Sequence, residues 1–173
     1  IDEILSLIEN VRRVRETFEE QTTRDRAVDI AATTRAQVES LRTQRPEAEF
    51  SVDLSGNVSV VTNDLLKEVI RNVLMNAIQH NDTETPEIDV HLQRRGDEVE
   101  LSIADNGPGI PETVVEILDS DRETQLEHLD GFGLWLVNWV VSLSGGTVEF
   151  ASNDPRGSVV KLLLPVADAE EAD

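Results

Sequence analysis

The sequence predicts an α+β fold, a two-layer α/β sandwich in which a mixed, mostly antiparallel sheet carries helices on one face. Two observations lead to this prediction. Apolar residues alternate with polar ones in several short segments, which indicates strands, and recur every three or four residues in others, which indicates helices. The two kinds of segment follow each other without strict β-α-β alternation, and this order favours an antiparallel sheet.

The N-terminal residues 1–24 are predicted to form a long helix that precedes the sandwich. Its apolar positions fall on one helical face: Ile1, Ile4, Leu5, Ile8, Val11, Val14 and Phe18. A helix with one apolar stripe has to bury it against another helix, so we interpret this segment as part of a bundle or coiled coil. Residues 25–46 are predicted to be a linker and a weaker helix that stops before Pro46.

Residues 47–166 are predicted to form the domain itself, followed by an acidic tail over 167–173. Alternating segments at 50–54 and 58–61 flank turn residues and predict a hairpin. Asn63 is the predicted N-cap of a strongly periodic helix. Two strands are predicted next, at residues 88–93 and 99–104, and a short helix from Pro111 follows them. A helix over 133–143 and a closing hairpin of 147–151 with 158–164 complete the prediction.

Composition excludes several classes of protein. The 173 residues are 39% hydrophobic and 29% charged, which suits one compact domain. A formal net charge of -20, with Lys67 and Lys161 as the only lysines, leaves no basic stripe for nucleic acid or an anionic membrane. Cysteine is absent, and three scattered histidines make zinc a poor hypothesis. No apolar run is long enough for a membrane span, so we expect a soluble segment.

The acidic residues are dispersed along the chain instead of forming a block. Such a surface is typical of a halophile, because molar salt shortens the Debye length to about 3 Å and screens self-repulsion. An ordinary acidic cytosolic protein is the alternative.

Two asparagines mark one face of the most periodic helix. Asn72 and Asn76 are four residues apart, so their amides project from the same side, one turn apart. Asparagine prefers helix caps, so two of them in mid-helix suggest an oxygen ligand for a cation such as Mg²⁺ and a phosphate contact. A polar stripe on a solvated helix is the alternative.

Two glycine motifs follow. Asp105 ends a predicted strand and leads into Gly107 and Gly109, whose backbone freedom lets the chain pass close to a ligand; a plain turn is the alternative. Gly131 and Gly133 open a helix, where backbone N–H groups attract anions.

The order of these motifs resembles the GHKL ATPase superfamily, which includes histidine kinases, Hsp90-type chaperones, gyrases and mismatch-repair clamps. The resemblance covers roughly residues 52–165 and is strongest to the C-terminal catalytic ATP-binding domain of sensor histidine kinases. It implies that ATP and Mg²⁺ bind between the asparagine helix and the glycine loops. The implied nucleotide contacts are Asn72, Asn76, His80, Asp105, Gly107, Gly109, Ile110, Gly131, Phe132, Gly133, Leu134 and Ser158.

The resemblance also implies individual roles. Asn76 matches the Mg²⁺ ligand, Asp105 the residue that binds the adenine amine, and Ser158 the hydroxyl residue that supports it. Asn72 stands where hydrolysing relatives carry a glutamate, and an amide is no general base, so phosphate transfer is favoured over hydrolysis. Asn72 and His80 are the candidate catalytic residues.

Several residues depart from the kinase pattern. Gln79 and His80 replace a basic and an aromatic residue, and His80 either contacts the nucleotide or packs at the helix end. Trp135 replaces the last glycine of the second glycine box, and no aromatic box is evident over 117–128. His128 either reaches a phosphate or is a solvated loop residue.

Kinases of this class carry the phosphoacceptor histidine beside an acidic residue on the first stalk helix. None of His80, His91 and His128 lies in such a helix, so we expect the acceptor upstream and the predicted helix over 1–24 to match the second stalk helix. The resemblance further implies a homodimer through stalk helices, an upstream sensor domain and a response-regulator receiver domain as partner. The alternatives are a degenerate non-catalytic nucleotide-binding or dimerisation module, and an ATP-hydrolysing clamp or chaperone.

Overall fold

The computed structural model describes residues 26–110 apart from 55 and 57, together with residue 112 and residues 132–167. The elements, in chain order, are β1 (Arg26–Asp29), α1 (Ile30–Gln44), β2 (Glu49–Leu54), β3 (Ser59–Thr62), α2 (Leu66–Gln79), β4 (Glu87–Arg95), β5 (Glu98–Asp105), α3 (Phe132–Leu143), β6 (Thr147–Ser152) and β7 (Ser158–Pro165). The predicted stalk helix over 1–24 and nearly all of the predicted short helix from Pro111 lie outside the described residues.

The main sheet has five strands in the order β2-β4-β5-β7-β6. Strand β2 is parallel to β4, and the other neighbours are antiparallel, as the predicted mixed sheet requires. Apolar residues alternate along the central strands, and the buried set on β4 and β5 includes Val90, Leu92, Leu101 and Ile103. The three helices pack their apolar residues against this face of the sheet, which gives the predicted two-layer sandwich.

The N-terminus of α1 is fixed by Asp29. Its Oδ1 accepts a hydrogen bond from the backbone N–H of Ala32 at 3.0 Å, which satisfies one of the free donors of the first turn. The helix buries Ile30, Val38 and Leu41 completely or nearly so. It ends before Pro46, as predicted from the sequence.

Helix α2 begins later than the predicted cap implied. Its N-cap position is Leu65, which offers no side-chain hydrogen bond, so the prediction of Asn63 as N-cap is wrong. Asn63 instead accepts a hydrogen bond from Leu65 N–H through Oδ1, at 3.0 Å. An asparagine side chain can form such a local turn with the backbone instead of capping a helix. The turn occupies residues 63–65, and α2 therefore begins at Leu66.

The predicted hairpin of residues 50–54 with 58–61 does not form. Strand β2 pairs with β4, with Phe50 opposite Ile88, whereas β3 pairs with β1, with Val60 opposite Val28. Strand β1 lies in a segment that was predicted as linker. Alternation identifies a strand but not its partner, and the place beside β2 is taken by the longer apolar strand β4.

The C-terminal end of the domain joins the small sheet to the large one. Beyond β7, Val166 forms a bridge with Val60, and Ala167 N–H donates to the carbonyl of Ser59 at 2.9 Å. The buried hydroxyls of Thr62 and Ser144 also lie 3.0 Å apart, which ties β3 to the turn after α3. The first residue of the predicted acidic tail is therefore bound to the fold. Within the described residues, no helix is long and apolar enough to cross a membrane.

The cap of α1 gives a test of the fold. Asp29→Ala removes the acceptor for the Ala32 N–H, and we expect the free energy of unfolding to fall by about 1 kcal/mol in a urea titration. Asp29→Asn keeps a capping oxygen and is the matched control, with an expected change of a few tenths of a kcal/mol. An equal loss in both variants would contradict the capping role.

Candidate functional site

The site is centred on the carboxylate of Asp105, the last residue of β5. The neighbouring strand β7 is antiparallel and begins with Ser158, so the two residues meet at the same edge of the sheet. Ser158 Oγ donates to Asp105 Oδ2 at 2.7 Å, and Ser158 N–H donates to Oδ1 at 3.2 Å. Gly107 N–H adds a third hydrogen bond to Oδ1 at 2.9 Å. The carboxylate is therefore held in one orientation.

These hydrogen bonds leave room for one more donor. A carboxylate offers about four acceptor positions, and the Ser158 hydroxyl and the two backbone N–H groups occupy three of them. Asp105 is half-buried, so the remaining position faces a partly desolvated space. The arrangement suits recognition of a single N–H group of a ligand, such as an exocyclic amine.

Two glycines allow the chain to approach this carboxylate. A Cβ at Gly157 would overlap the carbonyl oxygen of Asp105, and the backbone there has a φ of 109°, which side chains resist. A Cβ at Gly107 would lie 3.1 Å from Asp105 Oδ1 and 3.5 Å from the Cα of Asn81. Gly107 was predicted as a site residue, whereas Gly157 was not.

Sequence reasoning also missed the side chains that hold this loop. Asn106 Oδ1 accepts from Asn81 Nδ2 at 2.8 Å and from Glu87 N–H at 3.0 Å, and Asn106 Nδ2 donates to the carbonyl of Thr85 at 3.2 Å. On the other side, Asn153 Nδ2 donates to the carbonyl of Asp105 at 2.8 Å. The only signal in the sequence was turn chemistry, because an Asn-Gly pair predicts a turn without naming its partners.

The asparagine face of α2 forms the second part of the site. Asn72 and Asn76 are both half-buried, and their neighbours Val73 and Ala77 are buried in the core. Among the described residues, the Nδ2 atom of Asn76 is buried and has no hydrogen-bond partner. One turn before Asn72, the buried Oε2 of Glu68 lacks one as well. A buried unpaired polar group costs about 1–3 kcal/mol, so the Nδ2 of Asn76 lowers the stability of the ligand-free domain.

Asn76 fits a magnesium ion that arrives with phosphates. Its amide oxygen is a hard ligand, and Mg²⁺ commonly takes few protein ligands together with substrate phosphates and water. No group of three or more acidic or histidine side chains that could hold a metal by itself occurs in the described part of the chain. The residues therefore suit a nucleotide-borne ion better than a metal cage built by the protein alone.

The other predicted site residues lie either near the first glycine box and α2 or in the second glycine box. His80 is the C-cap of α2, exposed, with its backbone N–H bonded to the Asn76 carbonyl at 3.1 Å, and Ile110 packs against the core. In the second glycine box, Leu134 is buried within α3, which begins at Phe132 and includes Gly133. Gly131 and His128 lie outside the described residues. The structure thus brings together Asp105, Ser158 and Gly107, and Gly109, with a φ of 92°, lies near the carbonyl of Gly157. Contacts of the second box stay a prediction.

Comparison with known proteins agrees with this geometry. The family model described as "Histidine kinase-, DNA gyrase B-, and HSP90-like ATPase" matches residues 61–168. The C4-dicarboxylate transport sensor protein DctB of Rhizobium meliloti is 36% identical over 103 residues, which cover 59% of this chain and 16% of the relative. The sensory kinase SasA of Prochlorococcus marinus (strain MIT 9313) is 29% identical over 176 residues, covering 96% of this chain and 47% of the relative.

Solved structures give the same result. The mycobacterial sensor histidine kinase MprB aligns with a TM-score of 0.70 and 27% identity, covering 83% of this chain and 98% of that one. The ATP binding domain of PrrB from Mycobacterium tuberculosis aligns with a TM-score of 0.66 and 25% identity, again over 83% and 98%. The chain spans less than half the length of the curated relatives above. From the match over residues 61–168, the chain belongs to the histidine kinase-, DNA gyrase B- and HSP90-like ATPase family.

Proposed function

We propose that the chain is the ATP-binding catalytic domain of a two-component sensor histidine kinase, and that it transfers the γ-phosphate of Mg-ATP to a histidine on a stalk helix. The observation that carries the proposal is the Asp105 carboxylate, held by three donors with one acceptor position left. Adenine presents an amine that can fill this position. Guanine presents a carbonyl at the equivalent place, and two facing acceptors repel each other.

The phosphate end of the nucleotide belongs to α2 and the second glycine box. Asn76 would hold Mg²⁺ through its amide oxygen. When bound, the ion offsets the negative charge of the transferring phosphate. The N–H groups at the start of α3 would add a favourable dipole for the same charge.

The residue types favour transfer over hydrolysis. Asn72 lies one turn before Asn76 and has no basic group with which to activate water, so a clamp or chaperone that hydrolyses ATP is the weaker candidate. The relatives with printed functions are sensor kinases, which also favours transfer. We infer a homodimer through stalk helices, a response-regulator receiver domain as downstream partner, and a cytoplasmic setting for this domain.

A degenerate, non-catalytic module is the remaining alternative. Gln79 and Trp135 depart from the kinase pattern and support it. The hydrogen bonds around Asp105 argue only against a version that binds no nucleotide, because they hold the carboxylate in one orientation with an acceptor position left for a ligand. Nucleotide binding tests that version, and phosphate transfer to a stalk histidine separates the kinase from a module that binds nucleotide without catalysis.

Adenine selectivity should depend on Asp105. We expect the parent chain to bind ATP much more tightly than GTP in calorimetry, and Asp105→Asn to weaken ATP binding by about tenfold or more, as expected for an unpaired buried group. Asp53→Asn changes the same group at an exposed position on β2 and is the control. Equal affinity of the parent for ATP and GTP would contradict this assignment.

Asn76 should link nucleotide binding to Mg²⁺. We expect Asn76→Ala to lose the tightening of ATP binding that Mg²⁺ causes in the parent. Because the change also removes an unpaired buried donor, and alanine favours helices, the free energy of unfolding should stay equal or rise. Calorimetry with and without Mg²⁺, and urea denaturation, test both points. A variant that keeps the Mg²⁺ dependence would identify Asn76 as part of a structural polar stripe.

The acceptor should lie outside this chain. With γ-labelled ATP, we expect no labelling of His80, His91 or His128 and little release of phosphate, because Asn72 cannot act as a general base. A stalk segment carrying the acceptor histidine, added or joined to the chain, should become labelled with the acid-labile behaviour of phosphohistidine. Label on one of the three histidines, or rapid turnover of ATP by the chain alone, would overturn this division of roles.

A further inference from the structure

An ion pair closes a ring of contacts around Asp105. Arg156 Nη1 and Nη2 donate to the two carboxylate oxygens of Asp82, at 2.8 and 3.0 Å. Asp82 lies in the loop after α2, and Arg156 lies in the turn between β6 and β7, 74 positions apart in the sequence. Both loops contact residues 105–107, and the ion pair connects the two loops.

The loop after α2 contacts the first side of this ring. Asn81, the neighbour of Asp82, donates from Nδ2 to Asn106 Oδ1 at 2.8 Å. Gly107 lies so close to Asn81 that a Cβ on it would be 3.5 Å from the Asn81 Cα. The position of Asp82 therefore depends on the backbone of residues 105–107, and the reverse also holds.

The turn between β6 and β7 contacts the second side. Gly157, next to Arg156, lies against the carbonyl of Asp105, which leaves no space for a side chain. Asn153 donates to the same carbonyl, and Ser158 donates twice to the Asp105 carboxylate. Contacts therefore run from Asp105 through Asn106, Asn81 and Asp82 to Arg156, and its neighbour Gly157 returns them to Asp105.

We propose that Asp82 and Arg156 are a positioning pair that fixes the distance between the asparagine helix α2 and the base-recognising start of β7. This inference rests on the proposed function, since the nucleotide would bridge these two elements. Asn76 lies on α2 and Ser158 on β7, so a ligand that bonds both requires one defined separation. The pair supplies it by connecting the loop after α2 to the turn before β7.

The charge and exposure of Asp82 and Arg156 indicate that the pair orders the two loops and adds little to the stability of the whole domain. Both side chains are about half exposed, 47% for Arg156 and 54% for Asp82, and exposed pairs contribute little to overall stability. The hydrogen bond from Arg156 lowers the pKa of Asp82, so the carboxylate stays ionised to a lower pH than that of a free aspartate. The two parallel hydrogen bonds give this pair a defined geometry that a single contact lacks.

The test is a double-mutant cycle with nucleotide affinity as its readout. Asp82→Asn and Arg156→Gln should each weaken ATP binding about threefold to fivefold, mainly through faster dissociation, and the double variant should be no weaker than either single one. The exchanged pair, Asp82→Arg with Arg156→Asp, should recover part of the affinity. Glu47→Gln removes a comparable exposed pair with Arg45, 2.7 Å long and outside the site, and should leave ATP binding unchanged.

A second readout does not require ATP. Amide hydrogen exchange at Gly107 and Ser158, whose N–H groups donate to Asp105, should become faster in Asp82→Asn and stay unchanged in Glu47→Gln, with equal melting temperatures. Faster exchange in Asp82→Asn, found together with a parent chain that fails to bind ATP, would support the positioning pair and refute the proposed function. Unchanged exchange and affinity, or additive effects of the two single variants, would overturn the pair.

Discussion

The antiparallel pairing of β5 with β7 is the constraint on which the site depends. It places the end of β5 beside the start of β7, so the carboxylate of Asp105 and the hydroxyl of Ser158 are brought together by the sheet itself. The surrounding features serve this junction. Gly157 gives room for close approach, Asn153 and Asn106 anchor the backbone on either side, and the buried central strands prevent the register from slipping, because a shift of one residue would turn the apolar side chains outward.

Much of this arrangement was predictable because it is local. The periodicity of α2 and the alternation of β4 and β5 follow from backbone geometry, and they placed Asn72, Asn76 and Asp105 on the correct elements. The sandwich followed from the mixture of segments. Ser158 was identified only through family resemblance, since a serine at the start of a strand carries no chemical signal by itself.

The errors concern partners that are distant in the chain. The predicted hairpin failed because alternation specifies which residues face inward but not which strand lies alongside. Strand β1 was missed because Arg26–Asp29 is too short for its alternation to be distinguished from a linker. Asn63 was assigned the wrong role because capping and turn formation use the same side-chain oxygen, and only the dihedral angles of the following residues decide between them. Asn81, Asp82 and Arg156 gave no signal at all.

The small sheet has a mechanical consequence. Strand β1 is the first described element, and its partner β3 leads through three residues into α2, the helix that carries Asn72 and Asn76. Four residue pairs therefore connect β1 to the strand that precedes that helix, and Val166 forms a further bridge with Val60 of the same strand. A displacement of β1 along its axis would load these ladder bonds in shear and pass through β3 to the start of α2, at the opposite end of that helix from His80.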